Sequence, residues 1–249
     1  MTHARTGHMR SRQRVIATRV AFIALCAIAA DASIRLHAQA AASAAVPKLT
    51  GIWHRKGPLN GKRDPAMVPT NRATGFEKAY ENALSPTYDC VPIPMPAVAN
   101  DNYDFQIEQK PDRVILTYEK MDVVRTIWLE GHGHPKPGAY DYSNQGYSIG
   151  RYEGNRLVVE TTKFLPDARG FNSNRFIPNT AMKKMTERYT REGDVLKMET
   201  TSVDALVLKE PFQYNYEYTP RTEELTKYDC DPEDSRFGAQ FHKSIYPPD

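Results

Sequence analysis

Cysteine and tryptophan are scarce in this chain of 249 residues, with three of the first and two of the second. No pair of cysteines forms C-x-x-C, which removes the dithiol redox motif and the paired-thiolate zinc site. A glycine-rich phosphate loop and a dinucleotide fingerprint are also missing, so nothing calls for a nucleotide, and no organic cofactor is expected. No apolar run reaches the roughly 20 residues that a membrane-spanning helix needs. The formal charge is only +3, and much of the basic excess sits in the first twenty residues. A basic stripe for nucleic acid is therefore absent from the rest.

What those first residues do contain is the three-part pattern of a secretory leader. Arg5, Arg10, Arg12, Arg14 and Arg19 form a basic start, and Val20 to Ala30 is a short apolar run. Ala38-Gln39-Ala40 then offers a small-residue cleavage site, with Ala42-Ser43-Ala44 as a later one. Residues 1–40 are read as a signal peptide, with cleavage as late as 44, and residues 45–249 as one domain in the periplasm or secreted. Cys26 lies inside the apolar run behind Leu25, which does not suit a lipid-modified cysteine. After cleavage only Cys90 and Cys230 remain. They either pair, closing a loop that stabilises by roughly 4–5 kcal/mol in the chain-entropy model, or stay as two buried thiols.

Strand signals dominate the mature part. A short strand opens near Lys48. The spacing of Ala73, Phe76, Tyr80 and Leu84 predicts a helix over Thr70 to Leu84. Cys90 to Pro96 has proline at alternate positions from Pro92, and reads as an extended strap on the surface. Strand-like runs follow at Tyr103–Gln109, Arg113–Glu119, Val123–Glu130, Tyr147–Tyr152, Arg156–Phe164, Lys184–Thr190, Val195–Val203, Phe212–Thr219 and Glu223–Cys230. Glu153-Gly154-Asn155 and Arg191-Glu192-Gly193-Asp194 are hairpin turns between successive runs. Val114, Leu116 and Tyr118 alternate with Ile115 and Thr117. Phe212, Tyr214, Tyr216 and Tyr218 alternate with Gln213, Asn215 and Glu217. A row of tyrosines behind a phenylalanine suits either an ordinary core or the wall of an amphipathic cavity.

Two resemblances attach to these residues. Gly51-Ile52-Trp53 before antiparallel strands resembles the signature that opens the barrel of lipocalins and related calycins. That resemblance implies a tryptophan closing one barrel end beneath a basic side chain from the last strands, with Arg221 as the counterpart. Tyr147 through Thr162, with Arg125-Thr126-Ile127-Trp128-Leu129-Glu130-Gly131, His134-Pro135 and Glu187-Arg188-Tyr189, resembles a large group of uncharacterised exported bacterial proteins. Their motif runs S-I-G-x-W-E-G-D-T-L-V-V-x-T. Tyr152 stands here for the usual tryptophan, and Asn155-Arg156 for aspartate-threonine. The resemblance implies export and a barrel-like domain, and carries no activity with it.

Chemistry is sparse. His132 and His134 alternate in a glycine-containing loop, so both rings can face one way. They suit acid–base work with Glu153 or Glu187, or a metal if Glu153, Glu187 or His242 completed the set, but the spacing identifies no such ligand and no metal site is assigned. Glu153 and Glu187 each neighbour an arginine, which suits a structural ion pair as well as a base. Gly146-Tyr147-Ser148-Ile149-Gly150 spells the G-x-S-x-G pattern without the strand–turn–helix that a nucleophile elbow needs.

The sequence thus predicts an all-β, antiparallel, lipocalin-like barrel of about 8–10 strands, with one short helix and a proline-rich strap. Its expected partner is a small apolar or amphipathic molecule, lined by Arg125, Trp128, Tyr147, Tyr214, Tyr216 and Tyr218. Two alternatives stand beside this reading. One is a cofactor-independent lyase, isomerase or cyclase using the histidines. The other is an envelope interaction module using the strap and an edge strand. Oligomeric state is left open.

Overall fold

The computed structural model describes residues 46–132, 136, 138, 141–172 and 175–239. The leader at 1–40 with its cleavage sites, His134 and His242 lie outside the described residues.

Nine strands close into a barrel in sequence order. They are β1 (Gly51–Pro58), β2 (Phe105–Gln109), β3 (Arg113–Tyr118), β4 (Val124–Leu129), β5 (Tyr147–Glu153), β6 (Arg156–Thr162), β7 (Lys184–Glu192), β8 (Val195–Val203) and β9 (Phe212–Arg221). β9 returns to pair with β1, with Ile52 opposite Arg221 and His54 opposite Thr219. Every neighbouring pair is antiparallel except β4–β5, which is parallel. The expected wholly antiparallel barrel needs this correction, and topology supplies the reason. An odd number of strands cannot close on alternating directions alone, so one parallel pair must appear. It falls where the chain leaves Leu129 and does not re-enter the sheet until Tyr147, long enough to return to the starting end.

Alternation sets the inner face as read. Val114, Leu116 and Tyr118 point in, as do Tyr214 and Tyr218, and all are buried. Gly154 and Gly193 take positive φ in the two hairpin turns, the conformation that such turns require. The run Glu223–Cys230 is not a strand. Once β9 has closed on β1, both edges of that sheet position are filled and the following segment has no ladder to join. It crosses the outside instead, where Thr226 N donates to Glu119 and Tyr228 N to Asp122. Cys230 then forms a disulfide with Cys90.

The expected helix is shorter than its apolar spacing suggests. α1 spans Asn71–Ala79, capped by Thr70 Oγ1, which accepts from Ala73 N at 3.3 Å. It stops at Tyr80, which turns extended. Tyr80 packs its ring on Phe176 and gives its hydroxyl to Leu84 O. The remainder is a single 3-10 turn at Asn82–Leu84. Only Ala73 of the four spaced residues is deeply buried among helical positions, while Leu84 is 65% exposed.

The strap departs most from its sequence reading. Only its start, with Pro92 exposed, lies near the surface; Ile93, Met95, Ala97, Val98 and Ala99 belong to the barrel core, together with Trp53, Phe105 and Leu116. The chain here enters the barrel and ends in the short α2 (Ala97–Asn100). Proline makes this feasible because it brings no N–H to desolvate, provided that the carbonyls find donors. Side chains supply them. Asn144 Nδ2 donates to Pro92 O at 2.8 Å, Gln145 Nε2 to Ile93 O at 2.7 Å, and Lys183 Nζ to Met95 O at 2.6 Å. Tyr214 OH and Arg55 Nη1 serve Ala99 O and Asn100 O at 2.5 and 2.7 Å. With the strap inside, the barrel axis is filled. A methyl group added at Gly150, on the inner face of β5, would stand 2.7 Å from Ile127 Cγ2 and 3.1 Å from Leu157 Cδ1. The interaction reading loses most of its support, since Ile93–Pro96 are buried and the sheet is closed except where β4 and β5 part before Ile127.

Lys183 is one of two equally buried cations that hold this arrangement, the other being Arg169, which donates to Val91 O at 2.9 Å. Lys183 is 1% exposed, donates also to Gly170 O and Asn179 Oδ1, and lies 4.0 Å from the Phe164 ring centre. Burial pushes its pKa down from 10.5 to about 7, against the pull of Asp167 and Asp204. Between these two values the unfolded chain binds more protons than the folded one, so this group makes stability rise with pH from about 7 to 10.5 and does nothing below 7. Urea unfolding of the wild type and Lys183→Met at pH 7 and pH 9.5 checks it. The wild type should gain on the variant by up to ~1.4 kcal/mol per pH unit. A gap independent of pH would show that the amine keeps its ordinary affinity for the proton.

Candidate functional site

Two openings, a gap in the barrel wall and one of its mouths, gather the residues of interest. The first lies where β4 and β5 part. Their parallel ladder begins only at Ile127 opposite Ser148. Before that point Val124 and Thr126 on one side and the approach to Tyr147 on the other stand apart. A cleft of about 550 Å³ fills the gap, lined among others by Val123, Val124, Trp128, Tyr142, Tyr147 and Leu165, with Arg125 and Ser148 also reaching it. Trp128 and Tyr147 are outward residues of their strands, whereas Arg125 and Ser148 are buried inward ones. A cleft can touch both faces of a sheet only where the strands separate. Val124, Leu165 and Tyr142 are 59%, 41% and 37% exposed, a concentration of apolar surface that water leaves unsatisfied.

Gly146 shapes the lower wall. It has φ +68°, and a methyl group there would stand 2.6 Å from Thr162 O and 2.7 Å from Thr161 Cγ2. Only glycine suits both the left-handed backbone and the close approach to β6.

Behind the cleft sits a buried polar cluster. Arg125 donates from Nη1 to Glu187 Oε1 at 2.8 Å, from Nε to Ser148 Oγ at 3.1 Å, and from Nη2 to Thr161 Oγ1 at 2.7 Å. Nη2 also pairs with Glu187 Oε2, and Tyr189 OH donates to Glu187 Oε1 at 2.6 Å. Burial opposes the charge on Arg125, but Glu187 more than compensates and holds its pKa above the ordinary value. Burial raises the Tyr118 and Tyr189 phenols, reinforced at Tyr189 by Glu187. Neither offers a phenolate base near neutral pH. Ser148 is 1% exposed and hydrogen-bonded to Arg125 and Thr161, with no histidine beside it among its hydrogen-bond partners. This is a structural ion pair, and the G-x-S-x-G match has no elbow around it.

The second opening is at one mouth of the barrel, a cavity of about 560 Å³. Arg55, Arg63, Met67, Phe212, Tyr214 and Tyr216 are among its walls. Tyr214 and Tyr216 stack with ring centres 4.4 Å apart, and the Arg55 guanidinium lies 4.1 Å from the centre of the Tyr216 ring.

The sequence-derived ligand residues therefore separate into three places. Arg125, Trp128 and Tyr147 share the β4–β5 cleft, Tyr214 and Tyr216 share the mouth, and Tyr218 is 1% exposed inside the core. Of the described catalytic candidates, Glu187 stands apart from His132 and Glu153. His132 is exposed on the loop after β4, and Glu153 pairs at the surface with Arg151 at 2.7 Å. Glu187 is fully buried on Arg125. Glu187 is thereby withdrawn as the partner of an exposed histidine, whereas Glu153 lies at the surface on the strand beside the one that His132 follows. Among the described residues no group of three or more metal-ligating side chains comes together.

The tryptophan expectation needs one change. Trp53 is buried and donates to Leu49 O at 2.9 Å, and its ring carries Arg191 of β7 at 5.2 Å. Arg221 is not the counterpart. It shares the opposite face of the sheet with Ile52, its register partner, and binds Asp104 and Glu119 there. Arg55 was overlooked as a site residue although the signal was available: it follows Trp53 by two positions and so shares its inward face. Tyr142 and Leu165 lie in connections, where no period marks them.

No protein-family model matches the chain, and no curated protein does. Among solved structures, the wild-type fluorescent protein UnaG matches at 14% identity with a TM-score of 0.33, covering 70% of this chain and 98% of its own. A UnaG mutant matches at 15% identity with a TM-score of 0.32, covering 71% and 98%. At those values the likeness carries no inference about a ligand. The closed barrel rests on its own strand register. No helix among the described residues is long and apolar enough to cross a membrane.

Proposed function

We propose that the chain is an exported binding protein that holds a small apolar or amphipathic molecule in the β4–β5 cleft. The observation that carries this reading is the cleft's composition: exposed Val124, Tyr142 and Leu165 beside Trp128 and Tyr147, above a fixed polar floor at Arg125 and Ser148. Its volume of about 550 Å³ falls within the range for small-molecule sites. Each methylene that leaves water for these walls contributes ~0.8 kcal/mol. The leader pattern and the Cys90–Cys230 bridge support export, since disulfides persist in oxidising compartments.

Titration with N-phenyl-1-naphthylamine, a neutral fluorescent probe, tests the site. One molecule should bind per chain. Trp128→Ala should weaken binding about tenfold, a loss of ~1.4 kcal/mol, while leaving the urea midpoint within experimental scatter. No binding to the wild type, or equal binding to Trp128→Ala and Tyr147→Ala, would dismiss the cleft as the site.

A further inference from the structure

We infer that the mouth cavity is a second, independent binding site, and that it takes a small aromatic monoanion such as a carboxylate. Charge is the first reason. Arg55, Lys56, Arg63 and Arg175 line the cavity against Asp64. Glu77 neutralises Arg175 through two contacts of 2.7 and 2.8 Å, and Glu217 pairs with Lys56 at 3.2 Å. Asp64 is turned to Asn215, accepting from its N and Nδ2 at 2.6 Å each. That leaves two cations, Arg55 and Arg63, against the one still-charged carboxylate of Asp64, an excess of positive charge; neither arginine has an ion-pair partner among the described residues. Arg55 spends one N–H on the Asn100 carbonyl and keeps the rest of its fork, the geometry that recognises a planar anion.

Shape is the second reason. Tyr214, Tyr216 and Arg55 pack together, with the Tyr214 ring centre 4.4 Å and the Arg55 guanidinium 4.1 Å from the Tyr216 ring centre. A guanidinium stacks on aromatic rings, so a flat ligand ring extends the series as its next layer. Met67 and Phe212 provide the apolar contact beside it, and both are anchored to a small separate core of Ala73, Phe171, Ile177, Val207 and Leu208. That packing presents the wall without ligand-induced rearrangement. The cavity of about 560 Å³ holds a two-ring molecule with room for water. Nothing here depends on the β4–β5 cleft, whose walls share no residue with this one.

Isothermal titration with 2-naphthoate and its neutral isostere 2-naphthamide is decisive. The acid should bind one per chain, at least tenfold tighter than the amide, and lose affinity as salt rises. Arg55→Met should weaken the acid at least tenfold, and Arg55→Lys by less, since charge survives and stacking does not. Arg63 is exposed, so Arg63→Met tests the charge where folding is not at stake, and should weaken the acid several-fold. Trp128→Ala should leave 2-naphthoate affinity within twofold, whatever it does to the neutral probe. The inference fails if the wild type ignores 2-naphthoate, if acid and amide bind alike, if neither arginine variant matters, or if Trp128→Ala alone abolishes binding.

Discussion

Glu187→Ala should cost about 3–5 kcal/mol of stability, because it leaves the Arg125 guanidinium buried without its counter-charge. Arg125 and Glu187 are 2% and 0% exposed, so no water can replace the missing carboxylate without opening the wall. Ser148 and Thr161 still accept from Arg125, but two hydroxyls do not neutralise a charge, and Tyr189 OH loses its acceptor as well. Arg125→Ala should be similarly damaging from the other side. The double substitution Arg125→Met with Glu187→Leu should cost much less than the two alanine variants summed, because paired charges and apolar replacements of like volume nearly break even. Urea unfolding followed by near-ultraviolet circular dichroism measures all of these. A single variant losing under 1 kcal/mol would mean that water reaches the cluster from the cleft.

Loss of the Cys90–Cys230 bridge is the other large effect expected. The two residues lie 140 positions apart, and opening a loop of that size in the unfolded chain costs stability of about 4–5 kcal/mol. The bridge joins the turn before the strap to the tail beyond β9, where α3 (Pro232–Ala239) begins and Arg236 pairs with Asp89. Replacing both cysteines by alanine should lower the urea midpoint strongly while the barrel's far-ultraviolet spectrum persists in dilute buffer. A midpoint shift corresponding to less than about 1 kcal/mol would show that the unfolded chain is already compact between these points.

The barrel was legible where side chains alternate on one wet and one dry face. β3 and β9 gave up their inner residues from sequence alone, and the hairpin turns at Gly154 and Gly193 marked where strands reverse. Three things were not legible. The parallel β4–β5 pair has no local mark, because alternation assigns faces but not neighbours. The buried strap looks like a surface segment, because prolines at alternate positions fit either place; what buries it is a set of donors from Asn144, Gln145, Lys183, Tyr214 and Arg55 far along the chain. Glu223–Cys230 follows β9 closely, as a hairpin partner would, but finds no vacant ladder position. The site followed the same logic. Arg125, Trp128 and Tyr147 belong together only because two strands run parallel and start apart.

The proposed guest sits at the barrel's openings, beside a filled axis, and the two tryptophans report on the two possibilities. Trp128 borders the cleft and Trp53 is sealed in the core at 1% exposure. In a titration with 1-decanol, the wild type should show a blue shift in tryptophan emission that disappears in Trp128→Phe, while N-phenyl-1-naphthylamine still binds that variant. A shift that survives in Trp128→Phe would come from Trp53, and would put the guest inside the barrel instead.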